Sequence, residues 1–180
     1  MIFENEPSMK GDLSTLKKVC MYGSKVMLAG TVVLMAVVIL LIALGISAAV
    51  WDGGKDILSD ILGFDTDYAS SVRTVSCLAE LVCVFLLATE TVRRIYLVMV
   101  SIHTEHSPFT EANTAIVKTL SQIYLVASVV LFILDILGER GIASAAFMFF
   151  GCILLSVVLY IFALIVRYGA VLQNESDHTL

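Results

Sequence analysis

The chain has 180 residues, of which 59% are hydrophobic and 15% charged, and its net charge is −5. Ordinary soluble domains contain roughly 45 to 50% apolar and about 25% charged residues, so this composition excludes an ordinary soluble fold and predicts contact with a lipid bilayer. The length suits one domain covering residues 1–180. No nucleophile elbow, phosphate-binding glycine loop or paired zinc-binding motif is present, so we expect no enzyme activity, no cofactor and no direct binding of nucleic acid.

The first segment of the chain is polar and then basic. Residues 1–12 show no hydrophobic periodicity, and we expect them to be mobile. Over residues 13–27 the apolar positions recur at helical spacing, and Lys17, Lys18 and Lys25 lie elsewhere. This pattern predicts a short amphipathic helix on the membrane surface.

An uncharged run at residues 26–51 is longer than the ~20 residues that cross a bilayer. Ser47, Ala48 and Ala49 resemble a signal-peptide cleavage site, but the apolar run is about twice the ~7 to 15 residue core of a signal peptide. We therefore predict an uncleaved first membrane helix. Gly45 and Ala49, four positions apart, favour close approach of a neighbouring helix.

Residues 52–68 form the one extended loop, with five aspartates against Lys55. Ile57, Leu58, Ile61 and Leu62 occur at helical spacing, which predicts that part of the loop is an amphipathic helix lying on the outer surface. Clustered carboxylates can hold a cation, but the spacing fits no calcium-binding loop. Solvated charge is the favoured interpretation of this segment.

The second membrane helix is predicted at residues 69–104 and ends in a charged cluster. We expect Arg93 and Arg94 to lie at the membrane interface, with the helix projecting beyond them. The alternative places both arginines within the membrane, paired with Glu90 at three and four residues' spacing.

A polar segment at residues 103–113, which we call the knuckle, separates this helix from the next. Pro108 prevents the helix from continuing. Thr110 is a good N-cap, Glu111 lies where a negative charge favours the helix N-terminus, and the side chain of Asn113 can reach back to the cap. These residues predict a third helix at 110–137. His103 and His106 supply only two metal ligands where a closed zinc site needs four, so we predict a polar turn here.

A fourth membrane helix is predicted at residues 142–168, followed by a polar tail at 172–180. The predicted fold is an all-α membrane protein, a four-helix transmembrane bundle with cytoplasmic helix extensions. Eight of the eleven basic residues fall on one side of this topology: Lys10, Lys17, Lys18, Lys25, Arg93, Arg94, Lys118 and Arg167. The positive-inside rule therefore predicts a multi-pass protein of the cell membrane with both termini and the knuckle in the cytoplasm.

Two acidic residues form a candidate intramembrane polar site. Glu80 interrupts an apolar run, where a carboxyl group costs a few kcal/mol and is usually functional or paired. One hypothesis is a proton or cation site that Glu80 shares with Asp135. The alternative is a structural carboxyl group bonded to a hydroxyl of another helix, such as Ser128, Ser156 or Tyr160. Asp135 is five residues before Arg140, so we expect it near the outer interface as a salt-bridge partner.

Two short segments resemble a known family. One is Ser107, Pro108, Phe109, Thr110, Glu111 and Asn113, and the other is Tyr168, Gly169, Ala170, Leu172, Gln173, Glu175, Asp177, Thr179 and Leu180. They are similar to segments of the bacterial membrane proteins catalogued as domain of unknown function 2975, in which Pro-Phe-Thr-Glu-x-Asn opens the third helix. The resemblance implies a four-helix layout and, because such proteins are often encoded beside a helix-turn-helix regulator of the Xre type, a transcription factor as partner. It implies no catalytic residues.

These observations lead to a first hypothesis, a signalling or regulator-sequestering module whose cytoplasmic face docks a helix-turn-helix transcription factor. The candidate docking surface consists of Arg93, Arg94, Ser107, Pro108, Phe109, Thr110, Glu111 and Asn113. The alternative is a small transporter or immunity-type protein that uses Glu80 and the acidic outer loop to handle a cation or a cationic peptide. Because four helices leave little room for a pathway, that alternative requires a homo-oligomer. A structural assembly partner is a third hypothesis.

Overall fold

The computed structural model of the chain describes the backbone of residues 6–66, 69–105 and 107–178, and the side chains of 15–51, 53–66, 69–104 and 107–175. The secondary structure in these residues is helical: α1 (Glu6–Ala48), α2 (Asp52–Leu62), α3 (Ser71–Glu105), α4 (Glu111–Leu137) and α5 (Ile142–His178). Four of these helices, α1, α3, α4 and α5, are long and apolar enough to cross a membrane. The predicted all-α fold with four spanning helices is confirmed, and the chain is a multi-pass membrane protein.

Helix α1 joins two segments that the sequence predicts as separate. It is one helix of 43 residues, which is about 65 Å at 1.5 Å per residue. No proline and no pair of glycines stands between Asp12 and Val26, so no signal ends the helix there. A break would also leave backbone groups unpaired beside the membrane. The separate surface helix is therefore a wrong prediction. Residues 6–12 belong to α1, and their predicted mobility stays a prediction, while residues 1–5 lie outside the described part.

Within the acidic segment, α2 forms the amphipathic helix that the spacing predicts. Leu58 is buried, and the helix ends at Gly63, whose φ of 76° is a left-handed conformation that suits glycine and whose N–H donates to the Ser59 carbonyl at 2.8 Å. At the other end Gly54 lies so close to α1 that a Cβ would stand 2.8 Å from the backbone nitrogen of Ala48. Helix α2 therefore folds back onto the end of α1.

The long helices pack in the order α1, α3, α4, α5. Within the described ranges, α1 packs against α3, α3 against α4 and α4 against α5, and no other two long helices pack extensively. Helices α1 and α3 are antiparallel, since Gly23 lies beside Met99 and Gly45 beside Leu78. The contacts of Cys77 with Gly138 and of Arg94 with Ile116 show the same for α3 and α4. The contacts of Ser121 with Ser156 and of Phe132 with Phe149 show it for α4 and α5. One end of the molecule, which we call the termini end, therefore holds the start of α1, the knuckle and the end of α5. The other end holds α2 and the turn between α4 and α5, and we call it the α2 end.

Polar side chains join the helices within their apolar length. Ser156 Oγ of α5 donates a buried hydrogen bond of 2.7 Å to the carbonyl of Ser121 in α4. Thr91 Oγ1 of α3 and the hydroxyl of Tyr124 in α4 are 3.0 Å apart. Hydroxyl groups of this kind hydrogen-bond across membrane helices, where lipid offers no competing partner.

Helix α5 extends further than predicted, to His178 rather than residue 168. The segment after Gly169 contains Ala170, Leu172, Gln173 and Glu175, which are good helix formers. The predicted helix end at residue 168 is therefore wrong, because the helix continues through the polar tail as far as residue 178, while residues 179 and 180 lie outside the described part.

Candidate functional site

At the termini end, the knuckle contacts the last turns of α5. Ser107 Oγ donates a hydrogen bond of 2.7 Å to Gln173 Oε1. The ring of Phe109 lies against Gly169 so closely that a Cβ on this glycine would overlap it. The two segments that carry the family resemblance therefore meet in space, although Ser107 and Gln173 are 66 positions apart.

Hydrogen bonds within the knuckle also stabilise its conformation. The Phe109 N–H donates to Ser107 Oγ at 3.1 Å, and the Asn113 N–H donates to Thr110 Oγ1 at 3.1 Å, so Thr110 is the predicted N-cap of α4. Asn113 Nδ2 donates to the Pro108 carbonyl at 3.1 Å. Asn113 is only 1% exposed. Its assignment to a docking surface is therefore wrong, because its side chain holds the turn from inside.

The exposed part of the knuckle combines a phenyl ring with charge. Phe109 is 43% exposed, and Glu111 in the first turn of α4 is exposed. A cavity of about 310 Å³ lies between this turn and α5. It is lined by Phe109, Glu111, Arg167, Ala170, Val171 and Asn174. An apolar floor with one acidic and one basic residue can receive a side chain of a partner.

Glu90 binds both predicted docking arginines. Its carboxylate accepts two hydrogen bonds of 2.8 Å from Arg93 and one of 2.8 Å from Arg94 Nε. Arg94 Nη1 also donates to the Ile116 carbonyl at 3.4 Å, so Arg94 lies between α3 and α4 with 15% of its side chain exposed. Of the two arginines, only Arg93 is open to a partner, and its guanidinium is already paired.

At the α2 end, three charged residues form what we call the carboxylate cluster. Glu80 of α3 contacts Arg140 of the turn between α4 and α5, and the charge of Asp135 in α4 acts on Glu80. Glu80 is 5% exposed and its Oε1 accepts from Arg140 Nη1 at 3.3 Å. The other oxygen, Oε2, has no hydrogen-bond partner among the described residues. Asp135 is 0% exposed, and neither of its oxygens has a partner there. Three buried carboxylate oxygens are thus unsatisfied.

The predicted pairing of Asp135 with Arg140 is wrong. The chain reverses after α4 through Glu139 at φ 55° and Gly141 at φ 97°, and this turn directs Arg140 to Glu80 instead. Two of the predicted hydroxyl partners of Glu80 bond elsewhere, because Ser128 donates to the Leu125 carbonyl and Ser156 to the Ser121 carbonyl. The third, Tyr160, lines a cavity with Glu111 and Arg167 at the termini end.

Glu80 and Asp135 are buried, while Arg140 reaches solvent. Cys77 is 0% exposed, and its thiol donates to the Gly138 carbonyl at 3.7 Å. Arg73 stacks over the Phe64 ring at 4.6 Å and pairs with Glu139 at 3.7 Å. Arg73 Nε has no hydrogen-bond partner among the described residues, but the guanidinium pairs with Glu139, and the cation in contact with Glu80 is Arg140.

Three residues were named from the sequence, but their contacts at the two sites were not predicted: Arg140 with Glu80, Gly169 with Phe109, and Gln173 with Ser107. Arg140 is the one basic residue between Lys118 and Arg167, and so the nearest cation along the chain to Asp135. Gly169 and Gln173 both belong to the second segment of the family resemblance. Of the two histidines considered, His103 is exposed and His106 lies outside the described residues. In the part of the chain that the structure describes, no group of three or more His, Cys, Asp or Glu side chains could hold a metal ion.

No protein-family model, no curated protein and no solved structure matches this chain.

Proposed function

We propose that this chain is a signalling or sequestering module of a bacterial cell membrane whose termini end docks a soluble helix-turn-helix transcription factor. The observation that carries the proposal is the hydrogen bond between Ser107 and Gln173. It joins two segments of the family resemblance into one surface, and that resemblance supports a regulator of the Xre type as the partner. A surface fixed before binding loses less conformational entropy when a partner docks.

The proposed orientation places the termini end in the cytoplasm. Eight of the eleven basic residues belong to that end in the predicted topology, and basic residues near membrane helices are retained on the cytoplasmic side. A transcription factor is found in the same compartment. The orientation and the partner therefore support each other.

The docking test uses a helix-turn-helix regulator of the Xre type, the class of partner that the resemblance implies, and the full chain in lipid nanodiscs. We expect Phe109→Ala to weaken binding about tenfold, since truncation of a buried aromatic anchor costs about 1 to 2 kcal/mol. Charge reversal at the cavity rim, Glu111→Lys, should weaken it as well. Phe147→Ala is the matched control, because Phe147 is 78% exposed near the α2 end. No binding by the wild-type chain, or equal loss in the control, would refute the proposal.

A second candidate function, the handling of a cation, is favoured by the unsatisfied oxygens of the carboxylate cluster. Asp56, Asp60 and Asp65 are exposed at the same end of the molecule and attract cations there. Because four helices enclose little space, transport along this route would involve a homo-oligomer. Ion flux through proteoliposomes tests it, and flux that is unchanged in Glu80→Ala would exclude transport through the cluster.

A further inference from the structure

The carboxyl group of Asp135 is buried in a place where nothing described here balances a negative charge. Its side chain is 0% exposed, and neither carboxylate oxygen has a hydrogen-bond partner among the described residues. An ionised carboxylate that is removed from water without a partner loses several kcal/mol of solvation. Asp135 therefore needs either a neighbouring positive charge or a proton.

The charges of the carboxylate cluster do not sum to zero. Glu80 and Asp135 contribute two negative charges when ionised and Arg140 one positive charge, which leaves −1. Arg140 bonds to Glu80 Oε1 at 3.3 Å, and 41% of its side chain is exposed. Water therefore screens part of its positive charge. One further positive charge neutralises the cluster.

No other described side chain supplies that charge. On α3 the flanking ionisable groups are Arg73, which pairs with Glu139 of the turn, and the thiols of Cys77 and Cys83, which carry no positive charge. Helix α1 has no ionisable residue from Val26 to Trp51, and the first one in α5 is Cys152. Lys55 and the aspartates of α2 belong to the acidic surface of the α2 end.

A divalent metal ion does not match the cluster. Two carboxylates and one guanidinium require a single positive charge, so a divalent ion would leave a surplus in a poorly solvated site. The cluster also lacks a third metal-ligating side chain within the described ranges, whereas ions such as calcium take six to eight oxygen ligands. A proton needs only one carboxylate oxygen.

We propose that Glu80 and Asp135 bind one proton between them, taken from water at the α2 end beside Arg140. The proton leaves a hydronium ion, whose O–H bond breaks to give water, and it forms an O–H bond to an oxygen of Asp135 or to Glu80 Oε2, which cancels one carboxylate charge. Arg140 is the entry point because it is both solvent-exposed and in contact with Glu80 Oε1. The inference deepens the second candidate function, on which it rests for its site, by naming the cation.

The charge balance makes a specific prediction for single variants. In Asp135→Asn, the remaining Glu80 carboxylate and Arg140 already sum to zero, and in Glu80→Gln the same holds for Asp135 and Arg140. Either substitution should therefore abolish the bound proton rather than reduce it by half. Glu139→Gln is the matched control, because this carboxylate lies in the adjacent turn and is 65% exposed.

Infrared spectroscopy of the full chain in nanodiscs tests the proposal through the C=O stretch of a protonated carboxyl group. At neutral pH we expect a band equivalent to one protonated carboxyl group in the wild type and in Glu139→Gln, and complete loss of that band in Asp135→Asn and in Glu80→Gln. Two variants are used so that misfolding of one, seen by size-exclusion chromatography, leaves the other as the test. A wild type without the band, or a band that survives in a folded single variant, would overturn the proposal.

The same spectra recorded in sodium and in potassium salts distinguish a proton from a metal cation. The band should be independent of sodium concentration, and a band that decreases as sodium is added would overturn the assignment to a proton. The spectra measure occupancy and need no transport. If the band is present but proteoliposomes show no ion flux, the second candidate function is rejected and the proton site stands. If the band is absent, the proton site is rejected, whether or not flux is measured.

Discussion

Ser107 donates a hydrogen bond of 2.7 Å to Gln173 and thereby ties the turn before α4 to the end of α5. The same oxygen accepts the N–H of Phe109 at 3.1 Å. One hydroxyl group thus orders both the knuckle and the final turns of the last helix, and its removal is expected to loosen both together.

Ser107→Ala should loosen the contact without unfolding the chain. A partly exposed hydrogen bond contributes about 0.5 to 1 kcal/mol, so local opening should become about two- to fivefold more frequent. Amide hydrogen exchange of Phe109 and of residues 169–173 measures this opening. Thr119→Ala is the control, because its hydroxyl bonds within its own helix, to the Ala115 carbonyl. Equal effects of the two substitutions would contradict the expectation.

Gly169→Ala should displace Phe109. The added Cβ would overlap the phenyl ring, and overpacking of this kind costs about 1 to 3 kcal/mol. Thermal unfolding in detergent should show a lower midpoint, and the double variant Phe109→Ala/Gly169→Ala should recover part of the loss. Gly151→Ala is a matched control in the same helix, since nothing lies within 4 Å of its Cβ. There the gain in helix propensity, about 1 kcal/mol, should raise the midpoint.

Arg140→Gln should destabilise the fold by leaving Glu80 buried without its cation. Removing one partner of a buried pair costs 3 to 5 kcal/mol, and we expect about 1 to 3 kcal/mol because Arg140 is 41% exposed. Adding Glu80→Gln should restore part of that stability. Arg73→Gln breaks only the surface pair with Glu139 and should cost about 0 to 1 kcal/mol. Equal losses in denaturant unfolding of the two arginine variants would refute this difference.

Cysteine labelling tests the proposed orientation. His103→Cys at the termini end should react with a membrane-impermeant thiol reagent only after the cells are permeabilised, whereas Asp60→Cys at the α2 end should react in intact cells. The native cysteines give a low background, since Cys20 and Cys77 are buried and Cys83 and Cys152 are half-buried. Labelling of His103→Cys in intact cells would reverse the proposed topology.

The helical elements could be predicted from the sequence because their signals are local. Long apolar runs determine the spanning helices, and Pro108 with Thr110 marks the start of α4. The continuity of α1 was missed because an amphipathic pattern identifies a helical face and does not show where the helix ends. Gly23 and Ser24 are residue types found at helix ends, but no proline follows them, and α1 continues through both.

The two candidate sites depend on contacts between residues far apart in sequence, which local patterns do not determine. The sequence identified Glu80 as unusual but assigned Arg140 to Asp135, because sequence proximity does not reveal the reversal at Glu139 and Gly141. Asn113 was assigned to the docking surface with the rest of the knuckle, whereas its side chain bonds to the Pro108 carbonyl and is buried. The contact between Phe109 and Gly169 likewise arises only from the packing of α4 against α5.

The continuity of α1 has a consequence for how its lysines meet the lipid headgroups. Residues 13–25 continue the axis of α1 and do not form a separate helix flat on the bilayer. Lys25 and Lys17 therefore differ in height along this axis by about 12 Å. Attraction to anionic headgroups falls off within a Debye length of about 8 to 10 Å. Lys25 is therefore held at the phosphate layer, while Lys17 and Lys18 are presented to the surrounding water, where an acidic segment of another protein can reach them.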